Sequence, residues 1–186
     1  MLPSDPARRH GPLPSLCLLL AAVAAAVAGP PDAAATDVGG DILTDTTWDA
    51  AGSPFVVVAD VFVKDGATLT VRPGTEVRLK AGRSIVVDNS TLVANGTADS
   101  MIVFTRNQVG QVWWGSLAGY FANLTFRHCI VEWGKDVTYA GIYNEGLISN
   151  AEGSTVVEDC ILRNGGRDAI EIQGGSIVFR RTLVQD

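Results

Sequence analysis

From Thr36 onward, the chain is a succession of short apolar runs in which hydrophobic and polar residues alternate. Turn residues such as Asp65-Gly66 and Gly174-Gly175 separate these runs, which are rich in β-branched and aromatic residues. Alternation with a period of two is typical of β-strands, whereas an amphipathic helix needs a period close to 3.6 residues. The pattern therefore predicts an all-β chain of short strands, which fits a sandwich, a barrel or a solenoid.

A repeat favours the solenoid. Residues 124–131, 155–162 and 177–184 share two alternating apolar positions, a polar pair, a small residue and a further apolar position, and residues 85–94 form a fourth copy. The last two small residues are 22 positions apart, and helix-free repeats of this length predict coils that stack through parallel strands about 4.8 Å apart. The small residues are predicted to form one ladder: Ser90, Cys129, Cys160 and Thr182.

The polar pair in each repeat is predicted to be a corner, where the chain turns from one sheet into the next. His128, the single histidine beyond residue 36, belongs to such a pair, so we interpret it as a surface corner residue rather than as part of a catalytic triad. Cys129 and Cys160 would lie on neighbouring coils, within the range that a disulfide tolerates. Whether they are bridged or are buried free thiols is left open by the sequence.

Residues 1–36 are predicted to be a signal peptide and linker. A basic start at Arg8-Arg9 precedes a mostly apolar run over residues 16–28 and then small residues, as in secretory signals. The run is short for a membrane span, although an uncleaved anchor is the alternative. We therefore expect a secreted, extracellular or cell-envelope protein without a transmembrane helix in residues 37–186.

Several short motifs carry a resemblance to a known family. They are Gly66-Ala67-Thr68-Leu69-Thr70-Val71, Pro73-Gly74-Thr75 and Trp114-Gly115-Ser116-Leu117. With them, nearly all of residues 37–186 resembles the N-terminal part of secreted bacterial right-handed parallel β-helix repeat proteins of the pectin-lyase-like superfamily. The resemblance implies a single-stranded right-handed parallel β-helix, a solenoid, with an N-terminal cap at residues 41–63. It does not imply one activity, because this architecture carries lyases, hydrolases, adhesins and passive scaffolds.

Charge and motifs exclude several function classes. The formal net charge of −6 argues against nucleic-acid binding through phosphate neutralisation. The sequence contains no phosphate-binding glycine loop, no HExxH and no EF-hand spacing, so we predict neither a cofactor nor a metal site. It also lacks a match to the catalytic motifs of polysaccharide lyases, so we predict no catalytic residues.

Aromatic residues crowd positions 113–143, and exposed rings there would stack on sugars. Trp114 and Trp133 are expected in the core, whereas Tyr139 and Tyr143 lie in a predicted loop insertion and are the candidate ligand-binding rings. Glu145 and Asp168 are the nearest charged candidates. The expected partner is a polysaccharide or a cell-surface glycan.

The leading expectation is a non-catalytic scaffold that presents a long surface to carbohydrate. The alternatives are a polysaccharide lyase or glycoside hydrolase whose catalytic coils are missing, and an adhesin segment. The final repeat reaches Asp186 in strand register, so we expect an N-terminal fragment whose last coil is covered by missing coils or by another copy.

Overall fold

The computed structural model describes residues 34–185, and the predicted signal peptide lies almost entirely outside this range. The described chain forms seventeen strands and no helix, and hence no helix that could cross a membrane. The strands are β1 (Thr36–Ile42), β2 (Thr46–Trp48), β3 (Phe55–Val63), β4 (Thr68–Val71), β5 (Glu76–Leu79), β6 (Ile85–Asp88), β7 (Thr91–Asn95), β8 (Ile102–Arg106), β9 (Leu117–Arg127), β10 (Cys129–Glu132), β11 (Asp136–Tyr139), β12 (Ile142–Glu145), β13 (Ile148–Glu158), β14 (Ile161–Arg163), β15 (Ile170–Gln173), β16 (Ser176–Arg180) and β17 (Leu183–Gln185).

Fifteen strands pair in parallel from coil to coil and form three stacks. The first stack contains the second halves of β1 and β3, then β6, the first halves of β9 and β13, and β15. The second contains β2, β4, β7, the second halves of β9 and β13, and β16. The third contains the first halves of β1 and β3, then β5, β8, β10, β14 and β17. The all-β prediction is confirmed, and this pairing is compatible with a parallel β-helix.

Columns of like residues fill the interior. Since parallel pairing brings the same position of successive coils together, inward apolar residues stack on one another, with Asn150 and Thr155 as buried polar exceptions. One such column in the second stack consists of Val71, Ala94, Phe126, Val157 and Phe179. Its inner members are fully buried, but Phe179 on the last described coil is 44% exposed.

The corners predicted from the polar pairs are present in all four copies, and in the copy at residues 85–94 Asn89 has left-handed backbone with φ of 47°. His128, Asp159 and Arg181 all have left-handed backbone, with φ of 48°, 55° and 46°. Their amides continue the coil-to-coil bonding: His128 N–H donates to Glu158 O at 3.1 Å, and Asp159 N–H donates to Arg180 O at 3.1 Å. Short polar side chains suit this conformation better than bulky ones.

The predicted ladder is partly wrong. Cys129, Cys160 and Thr182 do stack: Cys129 N–H lies 3.4 Å from Cys160 Sγ, and Cys160 N–H donates to Thr182 Oγ1 at 3.3 Å. Ser90 does not join them, because the pairing of β7 with β9 aligns it with Ala122, one corner earlier in the coil. The same alternation of apolar and polar residues flanks both corners, so the sequence pattern assigned Ser90 to the wrong one.

Both cysteines are buried free thiols in the structure. Burial raises the pKa of the Cys129 thiol well above its ordinary value, and the thiol lies 3.4 Å from Ala94 O and 3.3 Å from Arg127 O. A thiol held neutral in this way is a poor nucleophile. Since Cys160 is buried as well, both cysteines belong to the packed interior.

The segment predicted as a cap, residues 41–63, does not lie outside the stacks as a whole. Its last part, β3, pairs with β1 on one side and with β5 and β6 on the other. Because both edges of β3 are paired, this part of the segment is itself a coil of the stack.

Candidate functional site

The predicted insertion contains an antiparallel hairpin formed by β11 and β12. It lies against the outer face of the first stack, where its side chains and backbone reach β6 and β15. Val86, Ala118 and Ser149 occupy outward positions of that stack, yet at most 1% of each is exposed. We call the exposed side of this hairpin, together with the adjoining edge of the first stack, the hairpin surface.

Tyr139 is one of the two tyrosines predicted to bind ligand, and it is half-buried. Its hydroxyl donates to Asp88 Oδ2 at 2.6 Å, and its ring lies 5.8 Å from Phe62 and 6.3 Å from Tyr120, measured between centroids. These contacts tie the hairpin to β6 and leave little of the ring free. Tyr139 therefore positions the hairpin.

The hydrogen bond to Asp88 raises the pKa of Tyr139 to about 12 from the ordinary 10.0. Since the folded-state pKa lies above the unfolded value, this bond stabilises the fold fully below pH 10 and is lost as the pH rises through 12. We expect Tyr139 to give the last transition in a tyrosinate absorbance titration and Tyr139→Phe to remove it. Ionisation of every tyrosine near pH 10 would contradict the hydrogen bond.

Tyr143 is the exposed ring of the hairpin. Its side chain is 42% exposed, and its hydroxyl donates to Asp136 Oδ2 at 2.8 Å. Its backbone carbonyl accepts a hydrogen bond from Gln173 Nε2 at 2.7 Å, and the same amide nitrogen donates to Glu171 Oε1 at 2.9 Å. The ring is thus held at both ends while much of its surface remains open to solvent.

The two acidic candidates behave differently. Glu145 joins the hairpin surface: its carboxylate lies 3.6 Å from Arg167 Nη1, and its backbone N–H donates to Glu171 Oε2. Asp168 contributes only its carbonyl oxygen, which accepts a hydrogen bond from Leu147 N–H at 3.0 Å. Its exposed side chain takes part in none of the hydrogen bonds or ion pairs found among residues 34–185.

The hairpin surface carries more negative than positive charge. Four carboxylates lie on it, against the cations Lys135 and Arg167 that pair with Asp136. The carboxylates belong to Asp88, Asp136, Glu145 and Glu171. Within the described part of the chain, no group of three or more His, Cys, Asp or Glu side chains could hold a metal ion. The surface is therefore a hydrogen-bonding surface that disfavours anions.

A second aromatic group lies beside the third stack. Trp133 was expected in the core but is only half-buried, because it adopts left-handed backbone at the end of β10 with φ of 68°. Its ring stacks on Trp113 at 6.1 Å, and the Arg106 guanidinium lies 3.6 Å from its centroid. The adjoining cavity of about 400 Å³ contains Glu132, which is already paired with Arg163 at 2.6 Å. The Trp133 ring and the Glu132 carboxylate are thus both already engaged by other groups of the protein. Trp114, by contrast, is buried as expected.

Phe121 was not singled out by sequence reasoning. It is 52% exposed, adopts left-handed backbone with φ of 49°, and contacts Tyr120 edge-to-face at 4.8 Å. The only signal in the sequence would have been its alignment with Asn89 of the preceding coil, which requires the correct strand register.

No protein-family model matches this chain, and neither a curated protein nor a solved structure is significantly similar to it.

Proposed function

We propose that the protein is a secreted or envelope-attached scaffold, a right-handed parallel β-helix of the pectin-lyase-like kind, which binds a neutral polysaccharide on its hairpin surface without cleaving it. The observation that carries the proposal is Tyr143, an exposed ring held in place by hydrogen bonds at its hydroxyl and its backbone. A ring that is already ordered loses little conformational entropy when a ligand stacks on it.

The polar groups around Tyr143 suit sugar hydroxyls. Asp136 and Glu171 supply carboxylate oxygens, and Gln173 supplies an amide, all within reach of the ring or its backbone. Aromatic stacking combined with such hydrogen-bonding groups is the usual composition of a site that orients a polar ligand. The solvent-facing position of the ring suits a long polymer that lies along the surface.

The excess of carboxylates favours a neutral glycan. An acidic polysaccharide would bring its negative charges close to the carboxylates of Asp88, Asp136, Glu145 and Glu171. The electrostatic repulsion at this surface would add to the repulsion from the overall charge of −6. Arg167, which lies between Asp136 and Glu145, is already engaged by both.

The proposal assigns the surface to binding rather than to catalysis. Glu145 is paired with Arg167 at 3.6 Å. The exposed Asp168 contributes only its carbonyl oxygen, which accepts a hydrogen bond from Leu147 N–H. A general acid and base would both have to face the same ligand bond.

Affinity electrophoresis of the full chain in gels containing galactomannan, xyloglucan or hydroxyethylcellulose tests the proposal. We expect saturable retardation, and for Tyr143→Ala about a tenfold loss of affinity, the size expected for one aromatic stack. Val109→Ala is the control, because Val109 is 97% exposed in the loop after β8 of the third stack.

Three results would contradict the proposal. If none of the neutral polymers changes the migration of the protein, a neutral glycan is excluded as its ligand. Retardation by polygalacturonate with release of unsaturated product would favour a lyase. Attachment to cells that Tyr143→Ala does not change would favour an adhesin.

A further inference from the structure

We propose that Phe121 is a second sugar-stacking position on this surface, so that the bound polysaccharide crosses the corner between the first and second stacks. This inference rests on the proposed function and adds a site to it. It also identifies the ligand as a polymer long enough to reach beyond the hairpin.

The backbone at Phe121 is the first reason. Its φ of 49° places a bulky aromatic residue in left-handed conformation, which is sterically costly for such a side chain. The register aligns it with residues of neighbouring coils that form the corner column: Asp65, Asn89, Phe121, Glu152 and Gly174. Asparagine, aspartate and glycine adopt this conformation more readily, so phenylalanine is the least suitable member.

The exposure of Phe121 is the second reason. The side chain is 52% exposed, and its aromatic contact is the edge-to-face pair with Tyr120 at 4.8 Å. A ring that was kept for packing would be buried, as Phe126 five residues later is. The fold therefore carries both a strained backbone and an exposed apolar surface at this position, a combination that indicates a functional constraint.

The neighbours of Phe121 are the third reason. Asn89 and Glu152 are exposed and lie one coil away on either side, about 4.8 Å along the stack. They place an amide and a carboxylate beside the ring, the groups that bind sugar hydroxyls. A single ring between polar groups is also a poor protein interface, because such interfaces need a larger apolar core.

An aromatic row connects Phe121 to the hairpin. Tyr120 lies 6.3 Å from Tyr139, which in turn lies 5.8 Å from Phe62. Because Tyr139 fixes the hairpin to Asp88, the strand that carries Tyr143 is positioned relative to the corner. We therefore expect one extended polymer to contact both exposed rings.

Phe121→Asn separates a binding role from a structural one, because asparagine relieves the backbone strain and removes the ring. We expect the melting temperature to rise by about 2–4 °C and the affinity for the polysaccharide that retards the wild type in the electrophoresis above to fall about tenfold. Phe121→Tyr keeps a ring and should keep the affinity. His128→Asn is the matched control: it also changes a left-handed residue, at the other corner, and should leave binding unchanged.

Each other outcome overturns the inference. A lower melting temperature for Phe121→Asn would show that the ring stabilises the fold. A higher melting temperature with unchanged affinity would show that the strained backbone at Phe121 does not contribute to binding of the polysaccharide. In that second case a loss of binding in Tyr143→Ala would still support the proposed function, so the two failures are distinguishable.

Discussion

Gly153→Ala is expected to destabilise the protein by about 3–5 kcal/mol, the range reserved for the most disruptive single substitutions. Gly153 lies at the corner inside β13, directly below Ala122 of the preceding coil. A Cβ atom there would lie 2.2 Å from Ala122 O and 2.8 Å from its nitrogen, and φ at this position is +107°. The atoms that would clash with the added Cβ belong to backbone that is paired with other coils on both sides. The clash can therefore be relieved only by opening the contact between two coils.

Gly141→Ala is the matched control for this substitution. Gly141 also has a positive φ, +79°, but an added Cβ would meet no atom within 4 Å. Its replacement should cost only the conformational penalty, about 1 kcal/mol. Urea unfolding of both variants measures the difference, and equal losses would show that the coils at Gly153 are not as close as described.

Phe126→Ala is expected to cost about 3–5 kcal/mol, as large-to-small substitutions of buried aromatics do. Phe126 is fully buried, lies between Ala94 and Val157 in its column, and meets the ring of Phe104 edge-to-face at 6.1 Å. Truncation would leave a cavity that these neighbours cannot close, because their own backbones are fixed by parallel pairing.

Phe179→Ala provides the comparison for Phe126→Ala within one column. Phe179 occupies the same position two coils later but is 44% exposed. Since less of this ring is removed from water and less cavity forms, the loss should be no more than about half that of Phe126→Ala. Chemical unfolding of both variants tests this order, and a reversed order would contradict the position of Phe126 in the interior.

The hairpin surface shows how much about a residue can be predicted from its local sequence. Tyr139 and Tyr143 were predicted to be exposed because they lie in an insertion without repeat character. Tyr143 is exposed, but Tyr139 bonds to Asp88, a residue 51 positions earlier. No property of the local segment distinguishes the two tyrosines. The difference depends on where the hairpin folds back.

The sequence alone determined the strand content, the parallel stacking of coils and the corners at His128, Asp159 and Arg181. These features follow from alternation and from repeats, which act over a few residues or recur with each coil. Only the tertiary structure decided that Ser90 lies at a different corner from Cys129 and that Phe121 is exposed there in left-handed backbone. The physical reason is register: a coil with similar alternation at each corner admits several alignments, and pairing across about thirty residues selects one.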